Sequence, residues 1–385
     1  MDPATFERLL SPEGQALLTE VHERAGVESD LALGTRLRTE HPAELVAAAL
    51  TQNHLRGRAA AKLGPDAARL YFTHDALEQA TRAPVAALRA ERLAASGAVA
   101  VLDLGCGVGG DLIAFARAGL RVRGVERDPL RAAIARANLA ALGMDGQVLQ
   151  SDLGEVTREA DEVPFLDPAR REGTGRVFDV DAMSPPWSVV TDHLRGDAVV
   201  KTLPGLRHAL VPDGVEAQWV SDGGDLVEAC LWGGDLATAS RRASALPGPH
   251  ELTGDGTAGE VGAAGHWLHE PDDAVIRSGL VGQLAHRMGG RLLDPHLAYI
   301  CTDVAVRDPL ARSYQVLEEL PFREKRLRAA LAARDVGTLT VKKRGVDVVP
   351  EQLVRRLRLT GSRPATVMLA RVDTGARAFL VEPRR

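Results

Sequence analysis

The spacing of apolar residues changes twice along the chain, and each spacing predicts a different kind of structure. Up to about residue 96, apolar side chains recur every three to four positions, as in Glu44-Leu45-Val46-Ala47-Ala48-Ala49-Leu50 and across 83–93. This is the helical period. Pro3, Pro12, Pro42, Pro65 and Pro84 divide the stretch into short helices. From Ala98 the pattern becomes short apolar runs separated by amphipathic segments. Residues 99–104, 121–126, 147–152, 163–167 and 198–201 read as strands, with helices over 111–118 and 129–142. Strands alternating with helices predict βαβ units, a mostly parallel sheet and an α/β fold. Residues 215–220 and 226–232 instead flank Ser221-Asp222-Gly223-Gly224-Asp225, which predicts an antiparallel hairpin. Residues 247–265, rich in Gly, Pro and Thr, read as a linker or long surface loop. Beyond them, 337–341 reads as a strand, 350–357 as a helix, and 366–371 with 378–381 as a closing strand pair. The expected domains are a helical one over 1–96, an α/β one over 97–245, a linker with a small α+β region over 246–306, and a last domain over 307–385.

Length supports several domains, because 385 residues exceed one ordinary core. No apolar run approaches the roughly 18 residues of a membrane span, and Met1-Asp2-Pro3-Ala4 has no secretory character. A cytoplasmic location with no membrane contact is therefore expected. Cys106, Cys230 and Cys301 are widely separated, which rules out a disulfide framework or a cysteine-rich zinc site as the organising principle. No obligate protein partner is evident. The net charge of −5 conceals an imbalance: from Arg307 onward 18 basic residues face 9 acidic ones, a balance of +9 that leaves −14 for the rest. Such a tail is either a solvated surface or a docking site for a polyanion.

Asp103-Leu104-Gly105-Cys106-Gly107-Val108-Gly109-Gly110 lies between a strand and a helix, where glycines let backbone amides approach a ligand. Gly105, Gly107 and Gly110 also satisfy the dinucleotide spacing, with Glu126 about 20 residues on. Asp103 separates the two possibilities. A carboxylate beside a pyrophosphate is repelled, whereas S-adenosylmethionine carries an ammonium and a sulfonium and no phosphate. Glu126 can then accept the ribose hydroxyls, and Asp152 is placed for the adenine amine. Three acids at three successive strand ends suit ligand binding at the carboxyl edge of the sheet. Taken singly, each acid is equally well a cap or an ordinary strand-end residue.

These motifs resemble a class I S-adenosylmethionine-dependent methyltransferase, carried by Asp103 to Gly109, Glu126, Asp152 and Asp167-Pro168-Ala169-Arg170. The whole chain is similar to bacterial methyltransferases with a THUMP-like C-terminal domain. That similarity rests on Phe72-Thr73, Leu77-Glu78-Gln79-Ala80-Thr81, the stretch from Phe165 to Arg171, Lys201 with Pro204-Gly205, and Thr340-Val341-Lys342-Lys343-Arg344-Gly345. It implies a Rossmann-like sheet of seven strands in the order 3-2-1-4-5-7-6. It also implies S-adenosyl-L-methionine held by Phe72, Thr73, Asp103, Gly105, Cys106, Gly107, Glu126, Arg127, Asp152, Leu153 and Asp167. Phe72-Thr73 would then fold over the cofactor; simple helix packing explains the same residues.

In base-amine methyltransferases a polar residue, two prolines and an aromatic end the fourth strand. Asp167-Pro168 keeps the amine acceptor, but Ala169 and Arg170 remove the stacking ring, so a base amine is permitted and not demanded. Asp167 and Pro168 are the candidate catalytic residues, and Arg170 a candidate substrate contact. Ser184-Pro185-Pro186-Trp187 repeats the motif's letters in what reads as the loop after the fourth strand, with Trp187 a candidate stacker or a packing residue. His266 and His269, near Glu270, Asp272 and Asp273, lack a third nitrogen or sulfur ligand, so no metal is expected. Lys342, Lys343 and Arg344, with clusters around 323–328 and 355–358, suit phosphate contacts on structured RNA, and the THUMP-like resemblance points the same way. The expected activity is methyl transfer to a tRNA or rRNA base. A small-molecule or protein acceptor, a catalytically silent RNA-binding protein and, more distantly, a dinucleotide oxidoreductase also fit the sequence.

Overall fold

The computed structural model describes residues 1–170, 183–372 and 375–384, and the chain divides into two compact units. The stretch 171–182, which holds Arg171 and the charged run at 176–182, lies outside the described residues.

The first unit comprises Met1–Thr202 with Leu231–Leu236. It opens with helices α1 (Pro3–Leu10), α2 (Pro12–Arg24), α3 (Asp30–Leu37), α4 (Ala43–Leu63), α5 (His74–Gln79) and α6 (Ala83–Ala95). The expected prolines sit in the first turns of α1, α2 and α6, where no amide hydrogen is needed, and Asp2, Ser11, Ser29 and Thr73 cap α1, α2, α3 and α5. The sheet then begins with β1 (Ala100–Leu104), every residue of which is buried. It alternates with α7 (Gly110–Arg117), β2 (Arg121–Glu126), α8 (Pro129–Ala141), β3 (Gln147–Gln150) and β4 (Glu162–Leu166). β1 pairs in parallel with β2 on one side (Ala100 opposite Arg121) and β4 on the other (Ala100 opposite Glu162). A two-residue ladder, β5 (Ala169–Arg170) against β6 (Met183–Ser184), follows β4 and leads into α9 (Trp187–His193) and β7 (Val199–Thr202).

The second unit, Leu203–Cys230 with Ala237–Arg385, starts with the expected hairpin, β8 (Glu216–Asp222) and β9 (Asp225–Trp232), the tip of β9 being assigned to the first unit. The strand order is β3-β2-β1-β4-β7-β9-β8, the expected 3-2-1-4-5-7-6, and it continues through β10 (Arg241–Leu246) and β11 (His250–Gly254). The linker expected from residue 247 is thus a strand at its start. Its cause is a polar ladder that composition does not show. Arg242 on β10 pairs with fully buried Glu216 on β8 and with Glu251 on β11, each at 2.7 Å, and Ser244 donates to Glu251 at 2.7 Å.

The boundary expected between 306 and 307 also differs from the structure. The second unit's other sheet holds β12 (Trp267–Pro271), β13 (Arg291–Asp294), β14 (Leu297–Thr302), β15 (Ala311–Pro321), β16 (Val336–Arg344), β17 (Arg363–Val372) and β18 (Gly375–Pro383), in the order β13-β14-β12-β15-β18-β17-β16. Strands from both sides of residue 306 therefore share one sheet, accompanied by α10 (Asp273–Ser278), α11 (Val281–Arg287), α12 (Glu324–Ala332) and α13 (Pro350–Leu357). His269 on β12 joins it at the centre. Its Nδ1 lies 2.8 Å from the Ser313 hydroxyl on β15 and its Nε2 lies 2.8 Å from the Thr302 hydroxyl on β14. His269 is a fully buried cross-strand link, and His266 lies 3.2 Å from the Asp303 carbonyl. Among the described residues no cluster of His, Cys, Asp and Glu is arranged to hold a metal, and no helix is long and apolar enough to cross a membrane.

Burial pushes the His269 imidazole down to about 4. The unfolded chain therefore binds a proton that the folded chain refuses between about pH 6.5 and 4, so this group's stabilisation is lost as pH falls through that window. The stability difference between wild type and His269→Gln, read by chemical denaturation, should shrink by up to about 3 kcal/mol from pH 7 to pH 4. A difference independent of pH would refute this.

Candidate active site

The carboxyl ends of the first unit's parallel strands carry the candidate chemistry. Asp103 is the fourth residue of β1, Glu126 ends β2, Asp167 follows β4, and Lys201 is the third residue of β7. The glycine loop is stitched to β2: the amides of Gly105 and Cys106 both donate to the Val125 carbonyl, at 2.9 and 3.0 Å. Gly105 and Gly107 have φ of +106° and +55°, and nothing lies within 4 Å of where a Cβ would project, which leaves an open cradle above the backbone. Gly124 is needed for the opposite reason, since its Cβ would come within 2.8 Å of the Cys106 sulfur. The Glu126 carboxylate accepts from the Gly107 amide at 3.0 Å and the Asp128 amide at 2.8 Å, which fixes it beside the loop.

Asp103 is 1% exposed, and neither carboxylate oxygen has a hydrogen-bond partner among the described residues. Burial first, then repulsion from Asp111 and Asp167, push its carboxyl well above the usual range; Arg89 and Lys201 offset this only in part. Asp111 has the opposite fate. Burial alone would raise it, but Arg89, Lys201 and the Thr81 hydroxyl, which donates at 2.8 Å, outweigh that and hold it low. The Arg89 guanidinium donates to Asp111 and stacks over the Phe165 ring at 5.0 Å. Lys201 meets the Asp167 Oδ2 at 2.6 Å, with 14% of its own side chain exposed against 37% for Asp167. Three carboxylates thus share two cations, and Asp103 is the one left without a direct contact. A buried acid in this condition calls for a cation or a proton.

The segment before α5 is fastened to this site by two amides that sequence reading missed. Buried Gln52 on α4 both donates to the Phe72 carbonyl at 2.7 Å and accepts from its amide at 2.9 Å. Buried Asn138 on α8 accepts from the Tyr71 amide at 2.7 Å and donates to the carbonyls of Tyr71 at 3.1 Å and Val108 at 2.8 Å. Tyr71 is thereby tied to the glycine loop, with Phe72 buried and Thr73 capping α5. A polar residue buried on an otherwise amphipathic helix was the available signal.

The remaining candidates separate. Asp152 is exposed and caps a short turn through the Gly154 amide at 3.2 Å; Arg127 is exposed and Leu153 half-buried. The ladder of β5 and β6 sets Ala169 opposite Ser184, so Asp167-Pro168 and Pro185-Pro186-Trp187 leave the same two-stranded clip. Trp187 is half-buried at the first position of α9. Lys342, Lys343 and Arg344 belong to the second unit. Lys342 is bound to Glu270 at 2.5 Å and Arg344 approaches the same carboxylate at 3.8 Å, while Lys343 is exposed. Strand alternation has divided the basic triplet between two faces.

Residues 98–192 match the family described as RNA cap guanine-N2 methyltransferase, 311–383 the THUMP domain-like family, and 2–59 a domain of unknown function. The chain is 41% identical over 350 residues to an uncharacterized S-adenosylmethionine-dependent methyltransferase of Mycobacterium tuberculosis, found in strains H37Rv and CDC 1551, covering 86% of this chain and 95% of the relative. A crystal structure from Porphyromonas gingivalis W83, named only as a methyltransferase, shares the fold over 96% of this chain and 97% of its own, with a TM-score of 0.75 at 20% identity.

Because the folded-state Asp103 carboxyl is raised, the native chain retains a proton that the unfolded chain has lost, and this acid's contribution to stability falls as pH rises above the ordinary carboxylate range. Asp103→Asn should therefore raise the stability of the ligand-free protein at pH 7.5 by about 1–3 kcal/mol. The gain should shrink at pH 5. Thermal denaturation of both proteins at the two pH values checks this, and a destabilised variant at pH 7.5 would contradict it.

Proposed function

The chain belongs to the S-adenosylmethionine-dependent methyltransferases, and from that premise we propose that it methylates a base amine of structured RNA, tRNA or rRNA. The observation that carries the reading is the two-stranded clip, which brings two incomplete acceptor motifs together. Asp167-Pro168 supplies a polar acceptor without an aromatic ring; Trp187 supplies the ring without a strand-end carboxylate. Asp167 Oδ1 makes no hydrogen bond among the described residues, because Lys201 engages Oδ2. A carboxylate with one oxygen engaged and the other available is an acceptor for an amine N–H. The match of 98–192 to a family named for guanine-N2 methylation of RNA caps, and of 311–383 to a THUMP-like domain, supports RNA as the substrate class.

The cofactor supplies an electrophilic methyl group on a sulfonium. Unpartnered Asp103 and the open cradle over Gly105 and Gly107 fit a cationic, phosphate-free ligand. In this reading Asp103 faces the cation, Glu126 accepts the ribose hydroxyls, and Asp152 accepts from the adenine amine. Cys106, Arg127 and Leu153 line the same edge, and the Phe72-Thr73 segment covers it. Asp167 orients the target amine, Pro168 presents its carbonyl beside it, and Trp187 stacks on the base. Arg170 is assigned a substrate contact. Catalysis is then mainly positional: the amine nitrogen is held in line with the methyl carbon, and the displaced proton leaves after transfer.

Two measurements test the assignment of residues. Cofactor binding should release a proton, since a cation beside Asp103 displaces the one that burial retains. Calorimetry in buffers of different ionisation heat should show that release in wild type and its loss in Asp103→Asn; equal release would remove Asp103 from the site. Glu126→Ala should weaken cofactor binding by about 1.5–3 kcal/mol. Asp167→Ala should lower turnover by about 10²–10³-fold with cofactor affinity nearly intact, the signature of an interaction used in the transition state. RNA modification mapping in cells with and without the chain decides the substrate: a methylated base that disappears with the chain is expected, and labelled methyl appearing only in protein or small molecules would overturn the RNA reading.

A further inference from the structure

The second unit contains a pocket of about 790 Å³ at the ends of β16 and β17, lined among others by Lys343, Arg344, Arg371, His296 and Asp294. Among the described residues of the lining, three permanent cations accompany one carboxylate, Asp294, which is 8% exposed and already accepts from the His296 amide at 2.8 Å. The cations are held in place from behind. The Arg344 guanidinium lies 5.3 Å from the Tyr299 ring centre, and its Nε is buried without a hydrogen-bond acceptor. Arg371 Nε donates to the Gly345 carbonyl at 3.1 Å. Gly345, at φ +67°, could carry a side chain only by crowding Leu297 at 3.1 Å. Lys342 takes up Glu270 at 2.5 Å, so the nearest acid is largely engaged before it reaches Arg344.

Cations fixed by packing in a concave site form a receptor for a compact anion with several acceptor oxygens. We infer that this pocket, built on Lys343, Arg344 and Arg371, binds a backbone phosphate of the RNA substrate. The inference rests on the RNA reading above and narrows it. Lys342 is excluded as a phosphate contact, Arg371 and His296 are added, and the site draws on residues 276 and 294–298, outside the THUMP-like match at 311–383. Exposed Arg8 on α1 and Arg38 just after α3 lie outside the pocket lining and outside the basic clusters of the C-terminal stretch, and serve as an internal control.

The test measures the affinity of the full-length protein for a tRNA transcript across a salt series. Lys343→Ala with Arg371→Gln should weaken binding about tenfold or more at 0.1 M salt. The same pair should flatten the log–log salt slope by roughly 0.7–0.9, the counterion release of the one phosphate contact that is lost. Arg8→Ala with Arg38→Ala should leave the slope close to wild type. Cofactor affinity should be the same in all three proteins, which shows that the variants are folded. Wild type that binds the transcript with a slope unchanged in the pocket variant would overturn the pocket alone, as would a slope change confined to the control variant. Wild type that binds no RNA would overturn the RNA reading and the pocket together.

Discussion

The first unit is organised around a carboxylate that folding leaves uncompensated. Placing Asp103 in a wholly buried strand removes its water, and no neighbour among the described residues donates to it. Such a group destabilises the fold unless a proton or a cation restores the balance. The surrounding charges show that the deficit is specific to this position. Asp111, in the first turn of α7, has Arg89 and Thr81, Asp167 has Lys201, and Asp103 has neither kind of partner. Replacing it with an apolar residue would relieve that cost, so the fold keeps at this position a group that only a proton or a cation can balance.

The glycine loop shows how a site of this kind keeps its shape before a ligand arrives. Its amides are divided between two tasks. Gly105 and Cys106 bind the Val125 carbonyl and hold the loop to β2, while Gly107 turns its amide onto Glu126. Asn138 then connects the loop's Val108 carbonyl to the Tyr71 backbone, so the helical segment and the loop share one buried amide. Buried two-point hydrogen bonds of this sort are costly to leave half-made. The segment that holds Tyr71 and Phe72 is consequently tied to the framework of the glycine loop, and Phe72 is positioned through its backbone even though its side chain carries no polar group.

Much of this was legible in the sequence because the signals are local. The glycines, the acids after successive apolar runs, and the change from helical to strand spacing at residue 98 all lie within a few residues of the features they produce. The strand order followed from resemblance, and the structure shows it. Two elements were hidden because their causes are long-range. β11 exists through Glu216, Arg242 and Glu251, charged residues on three strands, of which Glu251 alone falls in the stretch that composition assigns to a loop. The sheet that joins 267–302 to 311–383 depends on β12 pairing with both β14 and β15, and on the buried hydroxyl contacts of His269. Gln52 and Asn138 offered only their place on an amphipathic helix as a signal, since an amide on a helix looks like surface until its partners are known.

The basic C-terminal stretch illustrates why a count of charges overstates a binding surface. Lys342-Lys343-Arg344 is one cluster in sequence, but a strand sends alternate side chains to opposite faces. Glu270, which lies 72 positions away, claims Lys342 on one of those faces, and Tyr299 and Tyr314 supply aromatic surfaces for Arg344 and Lys342. Lys343 is left exposed, and Arg344, although it shares the Lys342 face, lines the same cavity as Lys343 and Arg371 where the strand ends at Gly345. What the folded chain offers to an anion is therefore set by which cations remain after internal pairing. On that criterion Arg371, distant in sequence and unremarkable in composition, belongs with Lys343 and Arg344, and Lys342 does not.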